Sequence, residues 1–190
     1  MTEVIELLGK TLTHTTRLLK NVTPEQYGQP TPCAEFDVYA LANHLVAGNL
    51  YYVRLAQGGA PDFSLFAQDQ IGGRQPGDAY AQGAEDALDA WRTEGAVERQ
   101  MPMPMPGGGQ GPLVTDLHLL EATLHGWDVA TATGQDRRGD PDAVQAVHQR
   151  WYGRFPDALR SQTRLFDPSR PVPEGAPALD EIAAHFGRTV

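Results

Sequence analysis

The chain has 190 residues, enough for one domain with a sizeable core, and 41% of them are hydrophobic, the ordinary share for a soluble globular protein. Its formal net charge of −9 argues against nucleic acid and against anionic membrane surfaces, both of which recruit basic patches. A single cysteine, Cys33, excludes an intramolecular disulfide and a cysteine-built zinc cluster, so a metal here is expected on His, Asp or Glu.

Residues 3 to 21 carry Val4, Ile5, Leu8, Leu12, Thr15 and Leu19 at spacings of three and four, which predicts an amphipathic helix stopped by Thr23-Pro24. The loop from Pro24 to Glu35 is rich in turn formers. Asp37 then suits the N-cap of a second helix from about Val38 to Gln57, with Val38, Leu41, Leu45, Tyr52 and Leu55 as its buried stripe and His44 and Gly48 on the shoulder. Residues 60 to 76 read as an irregular linker, and a third helix fits Gly77 to Glu98 on Tyr80, Ala84, Ala87, Leu88 and Trp91. The run from Met101 to Gly109 alternates Met and Pro before three glycines and cannot be helical; it is expected as an extended arm or a plain connector.

Pro112 opens a fourth helix that runs to about Gly134, with Leu113, Leu117, Leu120, Leu124 and Trp127 as its stripe. A fifth is expected from Pro141 to Leu159 on Val144, Val147, Trp151 and Phe155. A proline-rich, irregular tail from Phe166 to Pro177 precedes a short last helix, Leu179 to Phe186. With no strand alternation, the fold class is all-α: a four-helix bundle with additional short helices, forming one domain over residues 1–190 with a core of about 3–160 and a C-terminal extension of about 161–190. Residues Met1 to Glu6 lack the basic start and apolar run of a signal peptide, and no stretch approaches the roughly 20 apolar residues of a membrane span, so a cytoplasmic location is expected.

One pair of residues stands out against this background. Glu121 and His125 lie four apart on an apolar helix, where a carboxylate and an imidazole are costly to bury unpartnered. That spacing puts their Cβ atoms roughly 6 Å apart on one face, within reach of one cation at ligand distances of about 2.0–2.2 Å. His44, on the second helix, supplies a third ligand from a facing element. Two imidazoles and one carboxylate leave coordination positions open, which suits catalytic zinc and also Fe(II), Mn or Ni. Spacing alone leaves other readings open: a solvated Glu-x-x-x-His pair and a core histidine bonded to a carbonyl. His118 lies seven residues from His125, about 10 Å along the axis, and so competes with it rather than joining it. His14, His148 and His185 sit among polar or terminal residues and read as surface or helix-end histidines. Cys33, with no basic His near it in sequence, reads as structural or incidental.

Three segments together resemble a known family. They are Thr31-Pro32-Cys33-Ala34-Glu35-Phe36-Asp37 followed by Asn43-His44-Leu45; Glu121-x-x-x-His125-Gly126-Trp127-Asp128-x-Ala130-x-Ala132-x-Gly134; and Phe186-Gly187-Arg188. In this order they resemble the DinB-like metal-binding superfamily, in the branch that contains the metal-binding domain of mycothiol-dependent maleylpyruvate isomerase. Trp is usual there where this chain has Phe36.

The resemblance implies a four-helix bundle holding a divalent metal, commonly zinc, on His44, Glu121 and His125. It also implies a small thiol such as mycothiol as co-substrate, a small electrophile as substrate, and S-transfer or isomerisation as the reaction, in a monomer or homodimer. The isomerase has a further C-terminal domain that contributes to its active site. The residues after the bundle are too few for one here, so the metal site is expected to carry over and the isomerase's own substrate is not. Asp128 is expected to steady a ligand or to cap, and Arg54 and Arg74 are candidate contacts for an anionic substrate or plain surface residues. Hydrolysis by metal-activated water and a non-catalytic metal-binding or sensing bundle are the competing functions.

Overall fold

Six α-helices are found among the residues that the computed structural model describes, which are 3–102, 109–154 and 166–190. Helix α1, Glu3–Lys20, buries Val4, Ile5, Leu8, Leu12, Thr15 and Leu19 as its periodicity requires, with acids in its first turn and bases in its last to match the helix dipole. Helix α2, Val38–Ala56, starts where the Asp37 carboxylate accepts the amide of Ala40 at 2.8 Å. Helix α3 runs Pro76–Arg92, α4 Gly111–Thr133, α5 Pro141–Trp151 and α6 Ala178–His185.

The four longest helices make the bundle. Helix α3 packs on both α1 and α2, and α4 also packs on both α1 and α2, so the order around the bundle is α1–α3–α2–α4. That order sets α2 beside α4, the two helices that carry His44 and the Glu121/His125 pair. Helices α5 and α6 pack on each other and on α4. Helix α4 is therefore surrounded, and from His118 to Ala130 every residue except Glu121 is buried. A helix enclosed in this way is apolar all round rather than striped.

The start of α4 differs from the expected stripe. Leu113 is 36% exposed and Leu117 half-buried, while Val114, Thr115 and Leu119 are buried, so the buried face of the first turns of α4 is rotated from the expected stripe. Helix α3 ends six residues earlier than its apolar pattern suggests. Thr93 turns extended (ψ 135°) and Gly95 takes φ +77°, a left-handed turn that needs glycine. Helix α5 likewise stops at Trp151 with Tyr152 extended; Phe155 and Leu159, expected in it, lie outside the described residues. Gln100–Met101 is extended and pairs antiparallel with Gly109–Gln110 as strands β1 and β2. Two residues a side leave no alternation to detect in the sequence. The Met-Pro run from Met103 to Pro106 lies outside the described residues. The linker after α2 contains a 3-10 turn, Phe63–Ala67. No helix of the described residues is long and apolar enough to cross a membrane.

Candidate metal centre

Packing of α2 on α4 brings His44, Glu121 and His125 to one small cavity, which they line with Gly48, Asn49, Tyr52, Tyr80 and His118. The free room is about 10 Å³, roughly that of one water or one ion. The two imidazole rings meet edge to face with centroids 5.1 Å apart. His44 makes ring contacts with Phe36 and Phe66, and no hydrogen bond among the described residues. Burial, with the nearby His125 and Arg188, lowers its pKa to about 3, so the ring is a neutral nitrogen donor. Burial pushes the Glu121 carboxyl above its ordinary value, against the pull of His125 and of the facing Tyr52 hydroxyl. A carboxylate in such a place stays charged only with a cation beside it.

His125 is held from behind. Its Nδ1 lies 2.9 Å from Oδ2 of Asp128, three residues on and fully buried. Arg188, from the turn after α6, donates to the same carboxylate through Nε at 3.2 Å and Nη2 at 3.0 Å, and through Nη1 to the Phe186 carbonyl at 2.8 Å. Burial works to raise the Asp128 pKa, but the His125 bond and the Arg188 charge outweigh it and hold the carboxyl below its ordinary value. An ionised carboxylate only accepts, so the hydrogen-bond network places a proton on Nδ1 of His125 and makes Nε2 the nitrogen that remains to ligate. This is how metal-ligating histidines are oriented in proteins generally.

Cys33 joins this arrangement from the loop before α2. Its sulfur, a ring nitrogen of His125 and a carboxylate oxygen of Asp128 all lie within 4.8 Å of one another, a group able to hold a metal ion. Sequence placed no histidine near Cys33; the fold sets His125 alongside it. Burial raises the thiol pKa. The heads of His44, Glu121 and His125 do not all come within that distance of one another, and the Glu121 carboxyl meets the Tyr52 hydroxyl. His125 is common to both.

The other residues singled out from sequence fall elsewhere. His118 also lines the cavity, but both its nitrogens are committed. Nδ1 accepts from Trp91 Nε1 at 3.2 Å, Nε2 meets Asn49 Oδ1 at 3.0 Å, and Tyr52 stacks on the ring at 4.0 Å. It is a buried structural histidine and does not compete with His125. Arg54 and Arg74 bind the carbonyls of Ala60, Ile71 and Gln70, so they brace the linker rather than face the cavity. His148 pairs with Glu181 at 2.8 Å, away from the site.

The His-Gly-Trp-Asp run on α4 now reads as four separate tasks. His125 faces the cavity. Gly126 lets α1 come close, since a Cβ there would stand 2.9 Å from Thr15 Oγ1. Trp127 donates to Asp180 of α6 at 2.7 Å, and Asp128 orients His125. A helical bundle that brings two imidazoles and a carboxylate to one cavity makes a candidate metal centre. The family model described as "Mycothiol maleylpyruvate isomerase N-terminal domain" matches residues 8–130, and the chain belongs to that family. It is similar to two uncharacterized proteins of Mycobacterium tuberculosis, MT0763 of strain CDC 1551 / Oshkosh and Rv0738 of strain ATCC 25618 / H37Rv. Each is 29% identical over 173 residues, covering 91% of this chain and 91% of the relative. No solved structure gives a significant match.

Proposed function

We propose that the protein is a metal-dependent enzyme that uses a small thiol, mycothiol or a close analogue, for S-transfer to, or isomerisation of, a small electrophile. Zinc is the expected ion, with His44, Glu121 and His125 as its ligands. The observation that carries this reading is His125: a buried Asp128–Arg188 pair fixes its Nδ1, which leaves Nε2 for a ligand beside His44, which makes no hydrogen bond among the described residues, and Glu121, whose carboxyl meets only the Tyr52 hydroxyl and the His125 ring. The donor set fits a borderline divalent cation, since His44 is a neutral nitrogen donor and the one carboxylate needs a positive neighbour. Bound there, such an ion supplies a Lewis acid with open positions, able to hold a thiol deprotonated at neutral pH. The protein's own part is to keep His44 neutral by burial, to fix the His125 tautomer through Asp128, and to hold Glu121 against Tyr52.

One observation favours a second placement of the ion, namely the closer grouping of Cys33, His125 and Asp128. That placement has to compete with Arg188 for Asp128. Metal analysis of the purified chain separates the two. The first reading expects about one zinc per chain, lost in His44→Ala and kept in Cys33→Ser; the reverse pattern establishes the second placement. Thiol-dependent consumption of monochlorobimane supports the enzyme, turnover without thiol favours a hydrolase, and intact metal with neither activity leaves a binding or sensing bundle.

A further inference from the structure

Beside the cavity stands a wall of aromatic rings that metal binding does not explain. Phe36 and Phe66 flank the His44 ring at 5.0 and 5.1 Å, each tilted by 36°. Tyr51 continues the wall, with centroids 5.7 Å from Phe66 and 5.5 Å from Phe63. Phe36 and Phe66 are half-buried, and Phe63, in the 3-10 turn, is 56% exposed, more than any other large apolar side chain described. Exposure on that scale does little for the core, and scattered apolar residues on a surface are ordinary; a contiguous group that begins at a candidate ligand is not.

Charge points the same way. No Lys or Arg lines the cavity among the described residues. Arg54 and Arg74 are tied to linker carbonyls, and Arg188, 6% exposed, is committed to Asp128. Among the described residues, a substrate bearing two carboxylates would find no uncommitted guanidinium at the cavity to receive it.

We infer that the electrophile has a neutral, flat, apolar body, an aromatic or conjugated carbon skeleton that lies against Phe36, Phe66 and Phe63, and that the protein's own side chains, without an ion, receive dianionic acids poorly. The inference takes from the proposed function only the position of the reacting end, at His44. Ring-on-ring contact and the area it covers are worth about tenfold in affinity for one well-seated phenyl group.

Equilibrium binding to the full chain tests it, using ligand-observed NMR with 4-nitrobenzyl alcohol and maleate as probes. In the metal-free protein the neutral aromatic probe is expected to bind at least tenfold more tightly than maleate. Phe63→Ser, a surface change, is expected to weaken that probe about tenfold while zinc content after loading stays the same; Phe66→Leu tests the inner ring. Equal or tighter binding of maleate overturns the inference, as does an affinity for the aromatic probe that Phe63→Ser leaves within twofold. Failure to take up zinc with the aromatic preference intact supports the wall and overturns the metal reading. Zinc bound through His44 with no aromatic preference does the opposite.

Discussion

Replacing Arg188 with Met isolates the contact that orients the candidate metal ligand. In the native chain the guanidinium is 6% exposed and makes two bonds, at 3.2 and 3.0 Å, to a carboxylate with no exposure at all. Met fills similar volume but leaves the buried Asp128 charge with His125 as its remaining partner among the described residues. Breaking one side of such a pair costs about 3–5 kcal/mol, because the surviving charge remains desolvated. For a chain of this size each kcal/mol lowers the melting temperature by about 2–4 °C, so a fall of roughly 6 to 20 °C is expected. Urea and thermal unfolding of metal-free Arg188→Met, Asp128→Asn and the double variant measure it. The double variant is expected to be more stable than the sum of the two single losses implies, since it strands no charge. A loss below about 1 kcal/mol for Arg188→Met, or strict additivity in the cycle, refutes the account of Asp128 as an ionised acceptor held by Arg188.

Further consequences are open to direct measurement. Asp128→Asn replaces an acceptor-only carboxylate by an amide that no longer fixes the His125 tautomer by charge, and zinc affinity, read by competition with a chelating dye, is expected to fall about 10- to 100-fold. His118, lowered to about 3 by burial, binds its proton more readily in the unfolded chain. Its contribution to stability is therefore complete above the unfolded value near 6.5 and is lost as pH falls toward 3. In metal-free protein the His118→Gln variant should accordingly show a shallower decline of the urea midpoint between pH 6.5 and 3 than the native chain, and parallel curves would contradict this. Gly126→Ala places a Cβ 2.9 Å from Thr15 Oγ1, and a loss of about 1–2 kcal/mol in chemical unfolding is expected from the overpacked helix contact. In a Thr15→Ala background, where that oxygen is gone, the same change should cost nothing, because alanine is the better helix former.

Much of the bundle is legible in the residues themselves. The α1 stripe, the Asp37 cap and the Pro112 start all arise from local chemistry, which operates within a turn or two of chain. The Glu121/His125 pair is legible for the same reason: a four-residue spacing fixes a shared face whatever surrounds it. Local pattern misleads where the surroundings decide. Leu113 and Leu117 carry the right spacing for burial, yet in the first turns of α4 it is Val114 and Thr115 that face the core among the described residues. The ends of α3 and α5 were hidden because apolar residues continue past the turns at Gly95 and Gly153 that stop them.

By itself, then, the sequence determined an all-helical chain, its main helix starts, and a carboxylate and imidazole that share one helix face. Only the tertiary structure decided which other groups meet them. Arg188 lies 60 residues from Asp128 along the chain, and Cys33 is more than 90 from His125, so no periodicity connects either pair. Helical spacing fixes neighbours along one rod; which rods lie side by side, and what the last turn reaches, depends on how all the apolar faces close over one another.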